Sequence, residues 1–200
     1  MNPLTSIPAS IITGLVIALI LLFVSGHVGD PNTHLIVDRW LHIVSGVTWI
    51  GLLYYFNVVQ VPGMAQGAAD AGGPGNAGIS KYIAPRALLW FRWAAVATWI
   101  TGAYYLFSGY GNGLAGLHNA FSLQPGFRAI GIGAWLGTIM LFNVWALIWP
   151  NQKKILGLTP ASDEEKAKAR KVALMASRIN FVLSIPMLLC MGGQMHGLAF

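Results

Sequence analysis

LIVDRWLHIVSGVTWIGLLYYF, residues 35–56, opens a run that stays almost uncharged as far as Gly63. About 20 residues at a rise of 1.5 Å each cross the roughly 30 Å hydrocarbon core of a bilayer, so this stretch reads as one membrane-spanning helix. An ionisable side chain at that depth is costly and by default functional, which singles out His42. Arg39 lies about one helical turn to one side of it and Gly46 one turn to the other.

Outward from this helix, residues 7–26, 84–108, 127–149 and 172–196 are also long and apolar enough to span, with 35–61 taken as the second span. The predicted fold is therefore an all-α integral membrane protein of five transmembrane helices. Helices two to five form a four-helix core bundle. Residues 1–34 supply an N-terminal helix and loop, and residues 35–200 the main domain. The first segment lacks a basic leading region and a small-x-small cleavage site, so it reads as a retained helix, not a signal peptide.

Composition agrees. Of 200 residues, 56% are hydrophobic and 9% charged, with a mean hydropathy of +0.62, whereas soluble domains carry about 25% charged residues. Cys190 is the single cysteine, which excludes a disulfide framework and a cysteine metal cluster. The net charge of +6 is concentrated in Lys153, Lys154, Lys166, Lys168, Arg170 and Lys171. This pattern reads as topology and contact with anionic lipid; the aromatic or motif support that a nucleic-acid surface would need is absent. Lys81 and this cluster fall in the loops after the second and fourth spans, while the loops around 27–34 and 109–126 hold no Lys or Arg. The positive-inside rule then predicts a cytoplasmic N-terminus and a periplasmic C-terminus in a bacterial inner membrane.

The Gly- and Ala-rich stretch Pro62–Ser80 reads as a loop that is flexible in isolation and ordered by a partner surface. Ser162 with Glu165 three residues on reads as a capping box, starting a cytoplasmic extension of the last helix. Pro186 predicts a kink in that helix.

Two groups of polar residues follow from this topology. His27, His34, His42, His118 and His196 all fall toward the outer face, and His27 and His34 there read as ordinary loop residues. His42 has the position of a haem axial ligand, with Gly46 admitting a flat macrocycle, Trp49 packing on its edge and Arg39 meeting a propionate. His196 is the best-placed second ligand and His118 the next. The competing reading is that His42 hydrogen-bonds a neighbouring helix. Toward the inner face lie Asn57 and Gln60, Arg86 and Arg92, Asn143, Arg178 and Asn180. Arg92 and Arg178 read either as side chains snorkelling to the interface or, with Asn57, Asn143 and Asn180, as a cationic pocket for a quinone, lipid head group or anionic small molecule. Trp40, Trp90, Trp93, Trp145 and Trp149 stand near span ends, as in an aromatic belt. No carboxylate pair, nucleophile triad, phosphate loop or zinc pattern is legible.

Several strings together resemble a known family: Trp40-Leu41-His42-Ile43-Val44 with Trp49-Ile50-Gly51 and Tyr54-Tyr55-Phe56; Lys81-Tyr82 with Ala84-Pro85; Trp90-Phe91-Arg92-Trp93 with Thr98-Trp99; Leu136-Gly137-Thr138-Ile139-Met140; Asn143-Val144; Pro150-Asn151-Gln152-Lys153-Lys154; and Leu183-Ser184-Ile185-Pro186-Met187. Over residues 35–196 the chain resembles the membrane domain of bacterial membrane-bound urate hydroxylases (PuuD type, urate oxidase N-terminal domain family), most specifically at Pro150–Lys154. The helix bearing His42 is also similar to the first helix of HemJ-type protoporphyrinogen oxidases, which are small haem-b membrane proteins. Both resemblances imply redox function and a histidine at position 42. The first implies electron transfer to a periplasmic c-type haem, yet no Cys-x-x-Cys-His occurs in this sequence, so a c-type cytochrome partner would be a separate chain. The family pattern also has histidines where this chain has Leu89, Gly131 and Ile179, and a glutamate at Ala94.

The expected function is thus an integral membrane subunit of a larger redox complex, contacting other membrane subunits and lipids and binding haem b through His42. It is an electron-transfer or accessory subunit more than an independent catalyst. A stand-alone oxidoreductase for a small heterocycle or porphyrin, and a structural or assembly subunit keeping the fold, are the alternatives.

Overall fold

The computed structural model describes residues 2–110 and 113–200, and among them every regular element is helical. Residues 1–37 and 38–200 form two compact units. The first unit contains α1 (Ile7–Val24), capped by Ser6, whose hydroxyl accepts from the Ala9 amide at 3.4 Å. None of its residues is buried and apolar side chains surround it, the pattern of a helix whose surroundings are themselves apolar. Helix α2 (Thr33–Tyr54) begins in this unit and continues into the second.

The second unit comprises the rest of α2, then α3 (Val61–Ala69), α4 (Ala84–Gly109), α5 (Leu114–Phe121), α6 (Arg128–Phe142), α7 (Trp149–Ile155) and α8 (Asp163–Gly193). Three π-helical segments interrupt them, at Tyr55–Gln60, Ile79–Ile83 and Asn143–Ile148. Each is followed, two residues beyond its end, by a proline: Pro62, Pro85 and Pro150. Proline lacks an amide donor and its ring crowds the carbonyl four residues back. A widened turn just upstream relieves that crowding, so the chain stays helical through all three sites.

Four helical spans are long and apolar enough to cross a membrane: Ile7–Val24, Thr33–Ala69, Arg128–Ile155 and Asp163–His196. Helix α4 is long enough too, but Arg86, Arg92 and its tyrosines and tryptophans leave it less apolar, and it is not among the four. The Gly-rich stretch after the second span differs from its reading as a loop, because α3 continues the helix as far as Ala69. Asn76 then folds back to donate to the Met64 carbonyl at 2.7 Å. Ser162 and Glu165 form the expected capping box, with Ser162 N to Glu165 Oε2 at 2.8 Å and Glu165 N to Ser162 Oγ at 3.2 Å. Helix α5 lies in what the sequence reads as plain loop.

The core gathers Trp49 and Leu53 from α2, Phe91 and Ala95 from α4, Met140 from α6, Val144 just beyond it, and Ala176 and Met187 from α8. Where α6 packs on α8, Gly133 lets the backbone come close: a Cβ there would lie 3.2 Å from the Cys190 Cβ. The start of α6 and the end of α8 meet at one end of the bundle, where Gln194 Oε1 accepts from the Ile130 amide at 2.9 Å. The ends of α2 and α4 that hold Arg39 and Tyr105 also meet, with the guanidinium 6.0 Å from the ring centroid. Tyr110, just after α4, packs on Phe127, just before α6, with ring centroids 5.3 Å apart and planes tilted by 53°. These contacts place the start of α2, the end of α4, the start of α6 and the end of α8 at the same end of the bundle.

Candidate functional site

The His42 ring is held from helix α4. Its Nδ1 lies 2.9 Å from the Thr98 carbonyl oxygen and 3.2 Å from Thr101 Oγ1. A carbonyl can only accept, and the Thr101 hydroxyl is 2.7 Å from the Ala97 carbonyl to which it donates. In the neutral ring Nδ1 therefore carries the proton and Nε2 the lone pair. The ring rests on Gly102: a Cβ there would lie 2.9 Å from Cε1 and 3.2 Å from Nδ1. Glycine at 102 is what lets the imidazole lie against the α4 backbone.

Beside the ring is a cavity of about 320 Å³, lined by residues of α2, α4, α6 and α8 and the segments that join them. Arg39, His42 and Trp49 reach it from α2, Gly102 and Tyr105 from α4, Ala134 and Gly137 from α6, and Met187, Met191 and Gly192 from α8. A Cβ added at Gly137 or Gly192 would meet nothing within 4 Å, so the space extends to bare backbone on two helices. Tyr110 also lines it. Burial, and then the neighbouring Tyr105, push its phenol above the usual range against a smaller opposite effect of Arg39, so it stays protonated.

Sequence-predicted residues divide around this cavity. Arg39, His42 and Trp49 line it, whereas Gly46 faces the Thr98 methyl at 3.7 Å and serves helix contact. His196 and His118 are exposed and lie outside the lining. The inner polar set is drawn into helix–helix hydrogen bonds. Asn143 Nδ2 donates to Asn180 Oδ1 at 2.8 Å, and Asn180 Nδ2 to the Met140 carbonyl at 2.9 Å. Asn57 Nδ2 is 2.9 Å from both the Leu53 carbonyl and Ser177 Oγ. Arg92 stacks on Trp149 at 3.9 Å, and Arg178 is exposed. None of these five lines the cavity.

The sequence reading gave no site role to Thr98, Thr101, Gly102, Met187 and Met191, which the structure adds to the His42 ring contacts and the cavity wall. Their signal was a small residue opposite a lone intramembrane histidine, and methionines four apart on one helix. Asp38 is only 7% exposed and sits one turn before His42. Among the described residues no group of three or more His, Cys, Asp and Glu side chains could hold a metal ion.

Among the described residues the protein is thus all-helical, with four helices long and apolar enough to cross a membrane and a histidine-bearing cavity inside its second unit. Residues 112–200 match the family model described as urate oxidase N-terminal, which shows the resemblance read from the sequence over α5 to α8. The match includes Pro150–Lys154 and the cavity residues of α6 and α8, and it ends short of the helices bearing His42 and Gly102. Neither the curated proteins nor the solved structures give a match.

The positions at which the resemblance implies other residues have a physical reading. Leu89 and Ile179 are 46% and 47% exposed, so their side chains point away from the bundle core. A side chain at Gly131 would run into the Ala120 carbonyl, because α5 packs there directly on the α6 backbone. Ala94 is buried in the core among apolar neighbours.

Proposed function

We propose that this chain is a urate-hydroxylase-like membrane subunit of a redox complex and that it holds haem b through His42. The observation that carries the reading is the Nδ1–H bond to the Thr98 carbonyl. A backbone acceptor at Nδ1 fixes the tautomer that leaves Nε2 free to ligate, as is usual for a histidine that binds a metal. The donor set fits the group. His42 would be the axial ligand, Thr98 and Thr101 orient it, and Gly137 and Gly192 leave room for a flat ring. Arg39, at the cavity, offers a cation to a propionate. Bound there, haem would supply one-electron transfer, with its potential set by axial ligand and burial.

The surrounding reading is of five spans, α4 being the fifth despite its arginines, in a bacterial inner membrane. The Lys and Arg distribution supports a cytoplasmic N-terminus and a periplasmic C-terminus. In that orientation His42 lies in the periplasmic half, within reach of a c-type cytochrome partner. Other membrane subunits and lipid would cover the exposed apolar faces. A second reading, a stand-alone oxidoreductase for a small heterocycle, draws on the cavity volume of about 320 Å³, at the lower end of small-molecule pockets.

The test is the absorption spectrum of the protein purified in detergent from haem-sufficient cells. A b-type Soret band is expected, and it should vanish in His42→Ala while far-ultraviolet circular dichroism stays helical. A colourless wild type, or a Soret band that persists in His42→Ala, refutes the proposal. Turnover of urate or a porphyrinogen by the isolated chain with an added acceptor would favour the second reading over the subunit role.

A further inference from the structure

Arg92 is held in place without being neutralised. Its guanidinium lies 3.9 Å from the centroid of the Trp149 ring, and Lys153 Nζ approaches the same ring at 6.0 Å. Among the described residues neither cation is paired with a carboxylate, and no protein group accepts a hydrogen bond from either. A guanidinium stacked by its face keeps its N–H edge for an acceptor, and two cations on one ring suit a phosphate. Trp149 stands where an apolar run gives way to Pro150, Asn151, Gln152, Lys153 and Lys154, the level of a lipid headgroup.

One turn outward from that level begins an apolar groove of about 390 Å³ between α4 and α6. Val96 and Trp99 form one wall, and Thr138, Leu141, Phe142 and Trp145 the other. Val96 follows Arg92 by one turn on the same face of α4, and Trp145 precedes Trp149 by about one turn, so groove and cations belong to one seam. The polar atoms that Trp99 and Thr138 bring to it are spent within the protein. The indole N–H of Trp99 donates to Thr138 Oγ1 at 2.9 Å, and that hydroxyl donates to the Ala134 carbonyl at 2.8 Å. What these walls offer an occupant is hydrocarbon contact. Thr138 precedes Trp149 by eleven residues, about 16 Å along the helix, which is the depth of one leaflet of a core roughly 30 Å thick.

We infer that an anionic phospholipid binds in this seam, with its phosphate on Arg92 and Lys153 and one acyl chain along the groove. The inference rests on α4 being a membrane span and is independent of what His42 holds. A zwitterionic lipid carries its own cation beside the phosphate, so the two protein cations select against it.

The test is native mass spectrometry of the detergent-purified full chain, offered phosphatidylglycerol and phosphatidylcholine of identical acyl chains in equal amounts. One phosphatidylglycerol should be retained with a preference of about thirtyfold, as two cations worth roughly fivefold each imply. Arg92→Gln should lower the preference to about fivefold, and Arg92→Gln/Lys153→Gln should abolish it. Arg178→Gln, which removes an exposed cation outside the seam, should leave it unchanged. Ala146→Phe, at an exposed position that also lines the groove, should reduce retention several-fold while helical circular dichroism is kept. Equal retention of the two lipids by the wild type, full preference in Arg92→Gln, an equal loss in Arg178→Gln, or release of the lipid by inorganic phosphate alone would each overturn the inference and leave α4 as a span. Labelling of Ile100→Cys by a water-soluble maleimide in intact membranes, at a position 56% exposed midway along α4, would overturn the span as well.

Discussion

Replacing Gly102 by alanine tests the contact on which the whole site depends. The added methyl would lie 2.9 Å from His42 Cε1 and 3.2 Å from Nδ1, closer than packed atoms tolerate. The ring has little freedom to withdraw, because Nδ1 is held at 2.9 Å by the Thr98 carbonyl on the same helix. Overpacking of this kind costs about 1–3 kcal/mol, and loss of the hydrogen bond a further 0.5–1.5 kcal/mol or so. Alanine in place of glycine within a helix returns roughly 1 kcal/mol. The net expectation is a destabilisation of about 0.5–3.5 kcal/mol by this sum. Gly51→Ala is the matched control, since a Cβ there meets nothing within 4 Å, and it should be neutral or stabilising by up to about 1 kcal/mol. Reversible unfolding in mixed micelles gives both values, and the Soret amplitude of each purified variant gives occupancy. Gly102→Ala should lose most of its haem and Gly51→Ala should keep it. Equal stability and equal Soret amplitude in the two variants would refute the account of how His42 is positioned.

Two further outcomes are expected. Gly137→Leu projects into open space, so it should fold with near wild-type stability and exclude the cavity's ligand, seen as loss of the Soret band with unchanged helical circular dichroism. Asn180→Ala strips Asn143 Nδ2 of its side-chain acceptor and leaves the Met140 carbonyl with the Asn143 backbone amide alone, in a site where Asn180 is fully buried. It should cost about 2–4 kcal/mol in the same unfolding assay, with Asn143→Ala/Asn180→Ala costing less than the sum of the singles.

The long helices were legible because their apolar runs are longer than any competing element requires. The capping box at Ser162 was equally plain, since its chemistry is local to four residues. His42 could be singled out by cost alone, one titratable ring in an apolar run. Its surroundings could not, because Thr98, Thr101 and Gly102 are joined to it by helix packing and not by spacing along the chain. The inner asparagines show the converse. Their clustering toward one face was readable, but whether they open a pocket or close on one another depends on side-chain directions that periodicity does not specify. The stretch after Gly63 was misread because Gly and Ala suit both loop and helix. The widened turn ahead of Pro62 is what carries the helix through.

The widened turns carry a consequence for chain length. A π segment is in effect one extra residue held inside an α-helix, marked here by the Val61 and Trp149 amides reaching back five residues to Phe56 and Val144. Elsewhere in a helix, deleting one residue turns everything downstream by about 100° and scrambles which side chains face inward. Removing one from Tyr55–Gln60 or Asn143–Ile148 instead restores an ordinary turn and leaves both flanks in phase. Proteins that share this scaffold can therefore differ by a single residue at these two places and still present the same inward faces, so a gap there in a comparison of sequences marks a change of pitch, not a change of fold.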